Sequence, residues 1–437
     1  MTNHDVNQDG IYDATRLGIP KMLILGLQHT FAMFGATVLV PILTGLNVAT
    51  TLLMAGLGTL LFHLLTKGRV PAFLGSSFAF LGGYAAVAPM IDGQPNAEML
   101  PYACGGVFAA GLVYAVMAAL IKAFGAKRVM RFFPPVVTGP IIISIGLILA
   151  PTAITNCQTN WILALVALLT IIIFNIWGRG MAKIIPIILG VIVSYIVAIV
   201  MGAVDLSAIS EQPIVGLPPL TVMKFDVSAV ITIMPIALAT MMEHIGDISA
   251  IGATTGQNYI ANPGLHRTLL GDGLATCLSA AFGGPANTTY GENTGVLALT
   301  KIYDPRVIRI AACFAILLSF IPKVSFIITS IPAAIIGGVS LILYGMISAI
   351  GIRNVVENQV DFTKSRNTII AALILVCALG FNAVGGISFT VAGATITLSG
   401  LAIAAIVGIA ANAILPGNDY EFKEEEGTVE KFQTFKL

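Results

Sequence analysis

The sequence predicts an all-α polytopic membrane protein. Of its 437 residues, 57% are hydrophobic and only 10% are charged, whereas soluble domains carry about 25% charged residues. Apolar stretches of roughly 20 residues, long enough to cross the hydrocarbon core of a bilayer, recur along the chain. The net charge of +1 gives no reason to expect a polyanionic partner such as nucleic acid.

Hydropathy indicates fourteen candidate spans. Spans 9 and 10 are separated by little more than Gly284, so the count depends partly on the internal repeat described below. The predicted spans cover residues 21–43, 48–66, 72–90, 102–122, 133–151, 160–178, 183–204, 227–247, 267–283, 285–302, 307–329, 331–351, 366–383 and 395–415.

The basic residues support this count. With a cytoplasmic N-terminus, 20 of the 22 Lys and Arg residues fall in cytoplasmic segments, and only Lys224 and Lys323 fall outside or at an outer end. A wrong span count would scramble this asymmetry. The polar segment 1–20 is not typical of a cleavable signal peptide. We therefore expect a multi-pass protein of the plasma (inner) membrane with both termini cytoplasmic.

The chain also repeats itself. Gln28-His29 in span 1 and Glu243-His244 in span 8 are 215 residues apart, and the similar segments 71–78 and 285–292 are 214 residues apart. A Pro–Gly pair in span 5 recurs in span 12, in the same order. Because each half would hold seven spans, an odd number, the second half must be inverted in the membrane. The sequence thus predicts 7+7 inverted repeats.

Spans 3 and 10 are expected to be broken. Segments 71–78 and 285–292 are rich in Pro, Gly, Ser and Thr, so each favours a short extended stretch that leads into a half-helix. Two extended backbones can pair antiparallel, which satisfies polar groups that lipid would leave unpaired. Half-helix N-termini offer N–H donors to a ligand. Corresponding broken segments in two halves indicate a binding site.

Carboxyl groups lie inside the predicted membrane region. Only Glu243, Asp247, Asp272 and Glu292 fall within predicted spans, and no Lys or Arg lies near the centre of any span. A charged side chain at the bilayer centre costs roughly 2.5–3.5 kcal/mol, so such acids are candidates for a functional site. Glu243 and Asp247 are four residues apart and share a helix face. Acids that gain and lose a proton there would suit proton-coupled transport.

Other side chains are less specific signals. Phe78 corresponds to Glu292 in the repeat and is expected to stack on a planar ligand, with core packing as the alternative. His29 is expected to support the site, and Tyr344 to close it from the opposite side, although either could be structural. Asp272 is expected to form a hydrogen bond between helices. His244 is expected to be structural, and His63 and His266 are expected at the interface on the cytoplasmic side.

The ten residues Glu292–Lys301 match every defined position of the signature of the nucleobase–ascorbate transporter family. The pair Gln28-His29 resembles the second mark of that family. Stretches at 28–41, 74–80 and 287–295 are similar to its bacterial uracil-transporting members in particular. The resemblance covers essentially the whole chain.

This resemblance implies a core domain of spans 1–4 and 8–11 and a gate domain of spans 5–7 and 12–14. It also implies a homodimer and a coupling ion, H⁺ or alternatively Na⁺. The implied organisation is a cytoplasmic N-terminus at 1–20, core segments at 21–122, 227–302 and 307–329, gate segments at 133–204 and 331–415, and a cytoplasmic tail at 416–437.

The resemblance further implies import of uracil by proton symport. Glu at position 292 resembles the pyrimidine branch, whereas purine members often have Gln there. Asp247 stands where uracil transporters often have His, so xanthine, uric acid or another purine is the alternative substrate. The implied ligand-binding residues are Glu243, Glu292, Phe78, Gly291, Tyr290 and Ser77, the proton-coupling residues are Asp247, Glu243 and His29, and the gate residue is Tyr344.

Other classes of protein fit the sequence less well. A membrane enzyme would need a nucleophile with its base, a phosphate loop or a His/Cys metal cluster, and the sequence shows none of these patterns. An anion exchanger should place Lys or Arg in the broken spans, where this chain has acids. We therefore expect no catalytic residue, metal or cofactor beyond the coupling ion. The expected partners are a nucleobase, the bilayer and a second copy of the chain.

Overall fold

The computed structural model describes residues 10–91, 94–391, 394–417 and 420. Most of the predicted tail at 416–437 and the first nine residues of the predicted N-terminus lie outside the described residues. The helices are α1 (Ile19–Thr44), α2 (Val48–Leu65), α3 (Leu81–Val87), α4 (Leu100–Phe124), α5 (Ala126–Met130), α6 (Pro135–Gln158), α7 (Trp161–Trp177), α8 (Met181–Ile184), α9 (Pro186–Val200), α10 (Val227–Ile233), α11 (Ile236–Thr255), α12 (Leu265–Ala281), α13 (Gly291–Thr300), α14 (Pro305–Ser319), α15 (Pro322–Thr329), α16 (Ala333–Glu357), α17 (Ser365–Ala383) and α18 (Gly400–Ile414). The strands are β1 (Leu74–Ser76), β2 (Asn287–Thr289), β3 (Ile387–Val391) and β4 (Ala394–Leu398), and short 3₁₀ turns cover Ala14–Leu17, Phe78–Phe80 and Ser207–Ile209.

The described helices are those of a multi-pass membrane protein. Seven are long and apolar enough to cross a bilayer, counting α10 and α11 together, and the bent pair α14–α15 would make an eighth. Shorter apolar helices include α7, α9, α18 and the turn that leads into α3. The mostly helical membrane fold is confirmed, while the count of fourteen spans stays a prediction.

Two short β-sheets interrupt the helical bundle. β1 pairs antiparallel with β2, and β3 pairs antiparallel with β4. All residues of β1 and β2 are buried. The predicted extended stretches in segments 71–78 and 285–292 are therefore present as a strand pair inside the bundle.

Long helices pack closely through glycine. α2 lies along α14, α4 along α12 and α6 along α16. A Cβ atom on Gly111 of α4 would lie 2.7 Å from the carbonyl oxygen of Gly273 in α12, and one on Gly351 of α16 would lie 2.8 Å from that of Gly139 in α6. Small residues let helix backbones approach, and this contact drives helix association where lipid removes the hydrophobic driving force.

Two predicted spans contain a feature that hydropathy did not indicate. The last apolar segment was predicted to begin at 395, but that residue lies in β4 and α18 begins at Gly400. The alternating segment 387–398 forms a hairpin, which an apolar window cannot distinguish from a helix. The segment predicted as one span at 307–329 is two helices, because α14 ends at Ser319 and α15 begins at Pro322 with a bend of 85°.

The contact between α6 and α16 can be tested at Gly146. A Cβ atom there would overlap the backbone carbonyl of Tyr344, which cannot move aside as a side chain can. We expect Gly146→Ala to reduce the free energy of unfolding by about 1–3 kcal/mol, the usual cost of overpacking. The measurement is thermal unfolding of the detergent-solubilised protein. Gly345→Ala is the matched control, since nothing lies within 4 Å of a Cβ at that position. Equal unfolding temperatures for the two variants would contradict the packing argument.

Candidate functional site

The strand pair β1–β2 is the centre of the candidate site. Leu74 pairs with Thr289, Gly75 with Thr288 and Ser76 with Asn287. The pairing continues beyond the strands, since the amide of Ser77 donates to the carbonyl of Ala286 at 2.8 Å, and the amide of Tyr290 donates to that of Phe73 at 3.0 Å. A helical segment follows each strand directly, at Phe78 and at Gly291.

A threonine on a neighbouring helix satisfies the outer edge of each strand. Thr59 of α2 accepts from the amide of Leu74 at 2.9 Å and donates to its carbonyl at 3.2 Å. Thr276 of α12 makes the same two bonds with Asn287, both at 3.1 Å. The backbone polar groups at both edges are thereby paired in an apolar interior. Our sequence analysis missed both threonines, although they lie 217 residues apart, close to the spacing of the other repeat landmarks.

Glu292 lies in the first turn of α13, directly after β2. Its side chain is partly buried, and Gly291 before it is exposed, with nothing within 4 Å of a Cβ at that position. The N-terminus of α13 therefore borders open space, where its free N–H groups and positive dipole end are available to a polar ligand.

His29 of α1 contacts the same turn of α13. The side-chain amide of Asn293 donates to the carbonyl of His29 at 3.0 Å and lies 3.1 Å from its Nδ1. His29 is only 1% exposed. With Nδ1 as acceptor, the ring carries its proton on Nε2. Both marks of the family resemblance, Gln28-His29 and the signature at 292–301, thus meet in one buried contact.

Helix α11 brings two further carboxyl groups to the strand pair. Glu243 and Asp247 are partly buried and one helical turn apart. Asp247 accepts a hydrogen bond from the hydroxyl of Thr289 at 2.8 Å. Glu243 is close enough to Glu292 and Asp272 for electrostatic interaction. Asp247 therefore contacts β2 and Glu292 follows it in the chain, while Glu243 lies one helical turn before Asp247. Thr289 is a further residue that the sequence analysis did not assign.

Phe78, which follows β1, contacts Tyr344 of α16. Their ring centroids are 6.1 Å apart in an edge-to-face arrangement, and both residues are buried. The hydroxyl of Ser77, next to Phe78, is buried without a protein hydrogen-bond partner. Beside this contact, a cavity of only about 20 Å³ is lined by apolar residues such as Ala79, Ile145 and Ile236. A space of that size holds about one water molecule, so it is too small for a planar base.

Tyr290 turns into the strand pair. Its ring packs directly over Gly75, where a Cβ would overlap it, and its hydroxyl donates to the carbonyl of Ser76 at 2.9 Å. The hydroxyl of Thr37 donates to the hydroxyl oxygen of Tyr290 at 3.3 Å. Tyr290 thus links α1, β1 and β2, and its predicted place in the wall of the ligand pocket stays a prediction.

Two further histidines, His244 and His63, make buried polar contacts. His244 Nδ1 lies 3.1 Å from Asp272 Oδ2, with both side chains fully buried between α11 and α12. His63 was expected at an interface with water, and this was wrong. It is 2% exposed, because its Nε2 lies 2.9 Å from the carbonyl of Ala72 in the segment that leads into β1.

Uracil permeases of several bacteria are similar to this chain over most of its length. A uracil permease of Bacillus caldolyticus is 42% identical over 414 residues, covering 91% of this chain and 93% of the relative. A uracil permease of Bacillus subtilis is 41% identical, covering 92% and 93%, and one of Escherichia coli is 39% identical, covering 89% and 90%.

Solved structures with the same fold are membrane transporters. The transmembrane domain of a cyanobacterial bicarbonate transporter, BicA, matches with a TM-score of 0.64 at 15% identity, covering 86% of this chain and 98% of that domain. SLC26A9 matches with a TM-score of 0.66 at 13% identity, covering 92% and 66%. At such identities the likeness concerns the fold alone.

The sequence profile described as the permease family matches residues 20–387, most of the chain. Its members are transporters rather than enzymes. The chain therefore belongs to this permease family, the nucleobase–ascorbate transporter family that its signature resembles.

Proposed function

We propose that the protein imports uracil by proton symport across the plasma (inner) membrane, with both termini cytoplasmic. The observation that carries this proposal is the cluster of Glu243, Asp247 and Glu292 around the strand pair, beside the free N-terminus of α13. The uracil permeases at about 40% identity support the substrate. H⁺ is the proposed coupling ion, and no other cofactor is required.

The chemistry of the cluster suits a pyrimidine edge. Uracil alternates N–H donors with C=O acceptors; a carboxylate accepts from an N–H, and a protonated carboxyl donates to a C=O. In the proposal, Glu243 and Glu292 hold the base. Backbone groups of Phe78 and Gly291 add hydrogen bonds, and Ser77 offers its unpaired hydroxyl. The ring of Phe78 packs on the base as aromatic rings do, in an offset or edge-to-face arrangement.

Proton coupling is assigned to Glu243 and Asp247, supported by His29. A proton taken up from outside would neutralise one acid of the cluster and ready it for the neutral base. Since the hydroxyl of Thr289 in β2 donates to Asp247, a change of charge on Asp247 would alter this hydrogen bond to the strand pair directly. Release of base and proton on the inner side would complete the cycle.

We further propose fourteen spans, divided into core and gate domains with the boundaries given above, and a homodimer. The packing of the long helices supports the inverted repeat. If α2 corresponds to α12 and α4 to α14, the pair α2–α14 corresponds to the pair α12–α4, and both are close contacts. Tyr344 then belongs to the gate and closes the site against Phe78 of the core.

Removing either central carboxylate should abolish uptake. We expect Glu243→Gln and Glu292→Gln each to reduce uracil uptake by about 10- to 150-fold, since a hydrogen bond to a charged group contributes about 1.5–3 kcal/mol. The measurement is uptake of radiolabelled uracil into proteoliposomes, with insertion and folding checked by size-exclusion chromatography. Glu98→Gln, on an exposed glutamate, is the control. Normal uptake by Glu243→Gln or by Glu292→Gln would show that the substituted residue is not part of the site.

An inward proton gradient should stimulate uptake in sodium-free buffer. We expect Asp247→Asn to keep the hydrogen bond with Thr289 but to lose stimulation by the gradient, because an amide does not take up a proton in this range. Uptake measured with and without the gradient tests this. Stimulation by sodium instead would replace H⁺ as the coupling ion.

The purine alternative rests on Asp247 in place of His. If the protein carries xanthine or uric acid, excess unlabelled xanthine will suppress uptake of labelled uracil. The uracil proposal expects no such competition.

A further inference from the structure

We propose that residues 10–17, here called the strap, position the uracil site by fixing α13 against α11, with Tyr12 and Asp13 as positioning residues. This inference deepens the proposed function and rests on it. The sequence analysis treated 1–20 as a polar cytoplasmic terminus without a role. The structure instead shows the strap bound to the two elements that carry Glu243, Asp247 and Glu292.

The strap pairs with the end of α13. Ile11 and Ile302 form a parallel β-bridge, in which the amide of Ile11 donates to the carbonyl of Lys301 at 2.8 Å and the amide of Tyr303 donates to that of Ile11 at 2.8 Å. The segment 301–304 directly follows α13 and connects it to α14. The strap therefore holds the far end of the helix whose first turn carries Glu292.

The same strap binds the end of α11. The hydroxyl of Tyr12 donates to the carbonyl of Thr255 at 2.5 Å. Thr255 is the last residue of α11, where backbone carbonyls have no partner within the helix. The ring of Tyr12 packs edge-to-face on Tyr303, with centroids 5.3 Å apart. One side chain thus joins the end of α11 to the segment after α13.

Charged groups fix the strap on its other side. Asp13 contacts Arg306 at 3.0 Å, and the amide of Ala14 donates to Asp304 at 2.8 Å. Asp304 also caps α14 through the amide of Arg306 at 2.9 Å. Ala14, Ile302 and Val307 form a small buried cluster beneath these contacts. The strap is therefore held by backbone pairing, by a capped helix and by apolar packing.

Apolar contacts extend from the strap to the strand pair. Tyr303, whose ring packs on that of Tyr12, belongs to a buried cluster with Leu74 of β1, Ile248 of α11 and Leu297 of α13. This cluster joins the segment that binds the strap to β1, α11 and α13. Because packed side chains transmit displacement, freeing the strap should loosen the relative placement of α11 and α13. The base would then meet a less well-ordered pair of carboxylates.

The charge of Asp13 does not change in the pH range of proton coupling. Its hydrogen bond with Thr15, and then the nearby Arg306, hold the pKa of Asp13 below its ordinary value. A lowered pKa means that the contribution of the carboxylate is complete above the ordinary value and is lost only as pH falls through the lowered one. The effect of the strap should therefore be the same from about pH 6 to about pH 8.

The test uses Tyr12→Phe and Asp13→Asn in the full chain. Phenylalanine keeps the ring on Tyr303 and removes only the bond to Thr255. We expect each variant to raise the Kd and KM for uracil about two- to tenfold, as the loss of one hydrogen bond predicts. Vmax and the unfolding temperature should stay close to those of the unaltered protein. Amide hydrogen exchange should speed up at 295–304, where the strap holds the end of α13.

The control is Arg353→Gln, which breaks an exposed ion pair with Glu357 on α16 at 2.6 Å. It should change neither exchange at 295–304 nor Kd. An unchanged Kd in both strap variants would overturn the proposal, whether or not exchange is faster, because the strap would then be structural only. If the unaltered protein binds no uracil, the proposed function fails. In that case unchanged amide hydrogen exchange at 295–304 in the variants would independently show that the strap does not hold α13.

Discussion

The fold depends on the pairing of two extended backbones inside an apolar bundle. Unpaired amides and carbonyls cannot find water there, so irregular backbone is possible only where other groups satisfy it. β1 and β2 satisfy their inner edges with each other, and Thr59 and Thr276 satisfy the outer edges in the same way. Leu74 and Asn287, the residues bound by these threonines, are the first residues of their strands. The first residue of each strand therefore has the same kind of partner, a threonine of a neighbouring helix. The helical segments begin where this pairing ends.

The carboxyl groups are tolerable at this place for the same reason. Acids placed in hydrocarbon are costly, and they persist where a polar partner or a water-filled space accompanies them. Asp247 has Thr289, Asp272 has His244, and Glu292 stands at a helix N-terminus beside open space. By contrast, the exposed ion pairs of Arg306 and Arg353 lie at the start of α14 and near the end of α16. Asp247, Asp272 and Glu292 thus each have a polar partner or border open space.

Much of this arrangement was predictable because its signals are local. Pro, Gly, Ser and Thr interrupt two apolar segments at corresponding places, and a carboxylate follows one of them within the first helical turn. The hairpin β3–β4 was not predictable in this way, since its apolar residues resemble the start of a span. The strap was missed because Ile11 and Tyr12 gain their roles only from Lys301, Tyr303 and Thr255, which are remote in sequence. The role of Gly111 and Gly273, which is to let the two helix backbones approach, likewise becomes visible only in the contact between α4 and α12.

The strengths of the contacts indicate where the proposed core and gate domains would separate. Within the proposed core, α1, α13 and the strand pair are joined by buried hydrogen bonds such as those of Asn293 with His29 and of Tyr290 with Ser76. Breaking one of these in an apolar interior leaves unpaired groups, at a cost of about 1–3 kcal/mol each. Phe78 and Tyr344 meet through their rings alone, and an aromatic pair contributes only about 0.5–1.5 kcal/mol beyond its buried area. A displacement that separates these two rings while keeping the core intact is therefore the least costly way to open the proposed site at this contact. The hydrogen bond from Thr232 to the carbonyl of Thr397 links the hairpin to α10, and it would have to break or follow that movement.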